Sequence, residues 1–201
     1  MWALIEDGSI TKIINKPRGM IINNIQYSRN IFSFRWSNEE REAIGLYEIV
    51  WDNAKKKDEE YYNNTNQTFT YDADAGTVTA TYGDATAKAH ADTLFTADEE
   101  DNGLGTEGEV RVEGLKTKKI RAIKKEAAGE LQKTDWYIVR KADASTAVPS
   151  AITNHRAAVR TKCAQMETAI TNASNTAAIE TLYTRDADGV RPLGDLPRLE
   201  V

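Results

Sequence analysis

Apolar positions change rhythm midway along the chain. In the first half they fall in short runs of strand length. Trp2 to Ile5 and Ile10 to Ile14 are split by Asp7-Gly8-Ser9, which predicts a hairpin. Lys16-Pro17-Arg18-Gly19 breaks the chain before Met20-Ile21-Ile22, and Ile31 to Trp36 reads as another half-buried segment. Ser37 followed by Glu40 is a capping box and Gly45 sits where a helix ends, so 38–44 is predicted to be a short helix. Leu46 to Trp51 is strand-like. Gln67 to Tyr71 and Thr77 to Tyr82 alternate Thr with Phe, Tyr and Val around Asp72-Ala73-Asp74-Ala75-Gly76, predicting an antiparallel hairpin. Between these runs, 55–66 reads as a solvated loop.

In the second half the period lengthens to that of a helix. Leu115, Ile120, Ile123, Ala127 and Leu131 recur at mostly helical intervals from Glu113 onward. From Ile152, the set Ile152, Val159, Cys163, Met166, Ile170 and Ala173 steps by sevens, fours and threes, a heptad-like seam. Ser150, just after Pro149, is its expected N-cap. Asn175 to Tyr183 predicts a last turn or two of helix, and Pro192 and Pro197 an extended tail. Two antiparallel helices joined by a Pro-containing turn bury one stripe each and are marginal alone. The seam is therefore expected to need a partner: the Trp136 cluster, another copy, or another protein.

This pattern predicts an α+β chain: a small antiparallel β-rich N-terminal domain over 1–83, an acidic, glycine-containing linker over 84–112, and a helical hairpin domain with an extended tail over 113–201. Within the linker, Ala85 to Phe95 is expected to allow a short helix. Asp98 to Asp101 and Gly103, Gly105 and Gly108 read as a mobile loop.

Composition narrows the function class. A length of 201 residues suffices for one medium or two small domains, and a net charge of −5 argues against nucleic-acid binding by the whole protein. Cys163 is the single cysteine, so neither an internal disulfide nor a thiolate metal cage can form. Its Ala, Val and Met neighbours favour an inert core thiol over a reactive one. The opening Met1 to Asp7 has no basic region or long apolar core, so no signal peptide is expected, and no run approaches the ~20 apolar residues of a membrane span.

Candidate chemistry is sparse, and no catalytic, cofactor-binding or metal-ligating residue is expected. His90 and His155 have no second ligand at metal spacing, and no Gly-x-Ser-x-Gly elbow occurs. Asp72, Asp74 and Gly76 resemble the start of a calcium loop, but Gly83 stands where its bidentate Glu belongs, so a turn is expected. The basic cluster Arg111, Lys116, Lys118, Lys119, Arg121, Lys124 and Lys125 lacks interleaved aromatics. It reads as a solvated helix face or a partner for the acidic loop, ahead of an acidic protein partner and well ahead of nucleic acid. Trp36, Trp51, Trp136 and Tyr137 are core residues by the ordinary reading; the sharper reading makes Trp136 or Tyr137 an interface anchor.

Residues of the second half carry a resemblance. Glu113-Gly114-Leu115-Lys116-Thr117-Lys118, Thr134-Asp135-Trp136, Arg140-Lys141-Ala142, Val148-Pro149 and Arg156-Ala157-Ala158-Val159-Arg160 resemble tail fibre assembly chaperones and related tail proteins of tailed bacteriophages. In those proteins the position of His155 is commonly Tyr or Phe. The opening, with Pro17-Arg18, Glu39-Glu40 and Ile44 to Glu48, and the ending Arg191 to Pro197 are similar to marine-phage relatives, with Leu196 where a Trp is common.

The resemblance implies a non-enzymatic protein of the virion tail, present in the host cytoplasm during assembly, that binds a tail fibre or baseplate component as a resident part or a departing chaperone. The expected partner interface is Trp136, Tyr137, Arg140, Ile152, Arg156, Val159, Cys163, Met166 and Ile170, with self-association through the seam as a further option and neither nucleic acid nor membrane insertion expected. The alternative is a host-surface or carbohydrate-binding adhesin module using exposed Tyr61 and Tyr62 and the Asn63 to Gln67 loop. A glycan hydrolase is disfavoured because no carboxylate pair stands out.

Overall fold

A computed structural model of the chain, describing residues 1–199, has an α+β fold: β-rich first, helical afterwards. Of the tail expected over 113–201, Glu200 and Val201 lie outside the described residues. The chain divides into two compact units, Met1–Thr86 and the remainder from Ala87.

In the first unit, β1 (Trp2–Glu6) and β2 (Ser9–Ile14) form the expected hairpin. Its turn residues Asp7 and Gly8 both take positive φ, the backbone that matches strand twist. β3 (Met20–Ile22) and β4 (Ile25–Tyr27) form a second hairpin through Asn23 and Asn24. Instead of an extended segment, Ile31 belongs to a 3-10 turn, Arg29–Phe32. α1 (Asn38–Glu42) is opened by the expected capping box, with Glu40 N–H donating to Ser37 Oγ at 3.1 Å and Ser37 N–H to the Glu40 carboxylate at 2.7 Å. Gly45 follows at φ +81, and a Cβ there would lie 2.5 Å from the Ile5 carbonyl oxygen, so only glycine closes this corner.

β5 (Leu46–Asp52), β6 (Tyr62–Asn63), β7 (Thr68–Asp72) and β8 (Thr77–Thr81) complete the unit. The main sheet runs β2-β1-β5-β8-β7. Its pairings are antiparallel as expected except for one: β5 and β8 pair in parallel. The chain leaves β5, loops back and lays down β7 before β8, a return long enough for a parallel pairing. Both sheet faces are covered. Leu4, Ile14 and Leu46 pack with Met20, Ile22 and Ile31, whereas Ala3, Ile5, Ile49, Val78 and Ala80 form a separate cluster. This explains why β1 is apolar without alternation.

β9 (Thr86–Ala87) marks the passage to the second unit. The segment expected to be a linker over 84–112 is folded. β10 (Thr93–Leu94) pairs with β11 (Val110–Val112), and α2 (Ala97–Asp101) lies between them behind a Thr96–Glu99 capping box. The glycines that suggested mobility serve turns: Gly103 and Gly108 have positive φ, and a Cβ on Gly105 would strike the Phe95 ring. Nor is 85–95 helical. Its backbone carbonyls at Ala89 and His90 accept the N–H groups of Leu115 and Lys116 at 3.0 Å.

Four helices follow: α3 (Leu115–Gln132), α4 (Asp135–Ala144), α5 (Ser150–Asn172) and α6 (Thr176–Tyr183). α5 takes in Ser150 itself, one residue earlier than the expected cap. α3 opens at Gly114, which has no side chain to cap it, and Asp92 does so from a distance. Its Oδ1 accepts Gly114 N–H at 2.6 Å and its Oδ2 the Thr117 hydroxyl at 2.7 Å. No helix among the described residues is long and apolar enough to cross a membrane.

Candidate partner interface

The heptad seam of α5 is present, but it is filled from within the same chain. Val159, Cys163, Met166 and Ile170 pack against Ile123 and Ala127 of α3 and against Leu193 and Leu196 of the tail, and Ile152 is also buried. These five residues were expected to face a partner. They are core, because α3 supplies a matching stripe and the tail closes the groove that two helices leave open. Self-association through this seam is therefore not available to the folded chain. Polar links flank the core: Lys124 pairs with Glu167 at 3.0 Å, and Lys116 donates to the Thr171 carbonyl at 2.7 Å.

Cys163 sits inside this core. Burial, reinforced by its bond to the Glu167 carboxylate, pushes its thiol pKa up, which keeps it protonated and unreactive. Arg156 is also buried, and what it touches gives it a different role from contact with a partner. Its Nη1 lies 2.7 Å from the Leu131 carbonyl, 2.7 Å from the Thr134 hydroxyl and 2.8 Å from the Asp135 carboxylate. Thr134 in turn donates to the Leu131 carbonyl. One guanidinium from α5 thus satisfies the end of α3 and anchors the start of α4.

α4 is the anomaly. It runs for ten residues with none buried. Spaced at ~100° per residue, Ile138, Ala142, Val139 and Trp136 fall within an arc of about 160° that also takes in Asp135 and Asp143. All four are exposed, Val139 at 65% and Trp136 at 51%. Tyr137 and Arg140, outside that arc, are half-buried. The Arg140 guanidinium stands 4.6 Å from the Trp136 ring centre and 5.4 Å from that of Tyr137, and the two rings lie 3.8 Å apart. A helix normally turns its apolar side inward; this one leaves four apolar residues exposed on the same side as the carboxylates of Asp135 and Asp143. Of the expected interface residues, the structure therefore keeps Trp136, Tyr137 and Arg140 together at the surface and adds Ile138, Val139 and Ala142. Treating 135–144 as helical and plotting it at 100° per residue would have found the arc.

Elsewhere the structure removes candidates. Tyr61 and Tyr62, expected to be exposed for sugar stacking, are 3% and 6% exposed. The side-chain amide of Asn64 in that loop is bound to both backbone groups of Lys57. Asp72 Oδ1 accepts the N–H groups of Asp74 and Ala75 at 3.0 Å, which makes the segment a side-chain-closed turn. Trp36 packs edge-on to Tyr27 and Trp51 near Tyr82, both as part of the first unit's packing. In the basic cluster, Arg121 pairs with Glu113, Lys124 with Glu167, and Lys119 lies over the Tyr183 ring, while Arg111 pairs with Glu99 of the acidic segment. The cluster is mostly drawn into its own unit. No group of His, Cys, Asp and Glu among the described residues is arranged to hold a metal ion. No family model matches the chain, and no curated protein or solved structure matches it significantly.

Proposed function

We propose that this chain is a non-enzymatic, tail-associated protein of a tailed bacteriophage that binds a tail fibre or baseplate protein through the outward arc of α4. The observation that carries the binding half of this reading is that Trp136, Ile138, Val139 and Ala142 lie on one exposed side of a helix of which no residue is buried by the described residues. An uncovered helix of this length is marginal in water, and a rigid aromatic beside an Arg is the usual make-up of an interface hot spot. The phage half rests on the resemblance of Thr134-Asp135-Trp136, Val148-Pro149 and Arg156 to Arg160. With Tyr61 and Tyr62 buried, the adhesin alternative loses the stacking residues it relied on.

The test is mass spectrometry of purified, salt-washed virions and of fibre complexes from infected cells, with copy number. Stoichiometric presence in particles makes the chain a resident tail part. Absence from particles with presence in fibre complexes makes it a departing chaperone. Absence from both refutes the reading. The double variant Trp136→Ala, Val139→Asp is expected to abolish recovery from whichever complex contains it.

A further inference from the structure

The lobe formed by β10, α2 and β11 has an uneven make-up. Across 93–112 it contains Asp98, Glu99, Glu100, Asp101, Glu107 and Glu109, with Arg111 as the one basic residue. Its excess of five negative charges equals the net charge of the whole chain, −5, so the remaining residues balance to neutral. Glu99 is engaged by Arg111, and Glu100 accepts the Glu107 N–H. Asp98, Asp101, Glu107 and Glu109 are exposed around them.

Within this acidic rim lies apolar surface. Leu94 and Val110 are opposite one another across the ladder, and Val112, beyond a register shift, pairs with Thr93 and is exposed as well. All three are about half exposed, and Leu104 in the connection is 63% exposed. β11 has β10 on one side and no other strand beside it among the described residues. Short sheets with an open edge and an apolar face accept an added strand.

We propose that this lobe docks a basic, extended segment of another protein, one that alternates Lys or Arg with Val, Ile or Leu and lies beside β11 as a third strand. Its apolar residues extend the apolar Leu94–Val110 pair, and its cations meet the carboxylates of the lobe. A second copy of this chain is the wrong occupant for this surface, because two such lobes bring like charges together. The surface is separate from α4, so this proposal stands or falls independently of the phage reading.

The experiment titrates the full-length, isotope-labelled chain with short acetylated peptides and follows backbone amide shifts. A peptide alternating Lys and Val is expected to shift amides centred on 93–95 and 110–112, more strongly at 0.01 M than at 0.15 M salt, as the screening length falls from ~30 Å to ~8 Å. The double variant Leu94→Ser, Val110→Ser, which alters only exposed side chains, is expected to weaken binding about tenfold with unchanged circular dichroism. Equal binding of a Lys–Ser peptide would reduce the lobe to a nonspecific acidic patch, and equal binding of a Glu–Val peptide to a sticky apolar one. Either result overturns the proposal, as do shifts centred elsewhere, no binding at low salt, or occupation of the lobe by a second copy of the chain.

Discussion

Arg156 and Asp92 each close a helix end that the local sequence leaves open. Arg156 reaches from α5 to the last turn of α3, so truncating it to Ala leaves the buried Thr134 hydroxyl with only its own bond to the Leu131 carbonyl and removes a partner of that carbonyl. The expected loss is about 2–3 kcal/mol, read as a lower urea midpoint with an unchanged slope. Arg156→Lys is expected to recover only part of it, since the shorter lysine stem falls short of the three acceptors that Nη1 reaches together. Asp92 is predicted from its pKa direction. The Thr117 hydroxyl and the Gly114 N–H hold its carboxyl below the usual value of 3.8. A carboxylate whose folded pKa is depressed adds stability that is complete above the unfolded pKa and is lost as pH falls through the folded one. Urea midpoints of the chain and of Asp92→Asn are therefore expected to differ most near neutral pH and to converge in strong acid. A gap that persists at pH 2 would show that the carboxylate's charge is not what stabilises the cap.

The helices divide into those that hold the fold and one that does not. Met166 lies in the centre of the α3–α5 core, so Met166→Ala is expected to cost about 2–5 kcal/mol in a denaturant melt. Val139→Asp on α4 is expected to change stability by less than about 0.5 kcal/mol. Amide exchange should follow the same division, fast in α4 and slow in the buried turns of α3 and α5. This contrast also marks how far the sequence could be read. The capping box at Ser37, the hairpins at Asp7 and Asp72 and the seam from Ile152 to Ile170 were legible because each depends on neighbours within a few positions. The seam's occupant was not, since Leu193 and Leu196 arrive from a tail whose prolines announce only that it is extended. The acidic lobe was missed because its glycines and carboxylates have the composition of a loop, while the bonds that order it, such as Phe95 N–H to the Glu109 carbonyl, join residues that no periodicity links. Of the residues expected at an interface, Trp136, Tyr137 and Arg140, singled out by residue type, lie at the surface of α4. The five seam residues were misassigned because an apolar stripe reads the same whether its partner is another molecule or the next helix.

At the scale of the molecule, each unit has its own buried clusters, so the two pieces separated after Thr86 are expected to fold when produced apart. Amide spectra of the pieces that overlay on the full chain would bear this out; a collapsed spectrum from either would refute it. The placement of charge has a colloidal consequence. A particle whose body is neutral and whose entire excess charge sits in one lobe is kept dispersed by that lobe alone. Whatever neutralises the lobe also brings the particle to its point of zero charge, so the occupancy that caps the lobe simultaneously removes the repulsion keeping neighbouring copies apart.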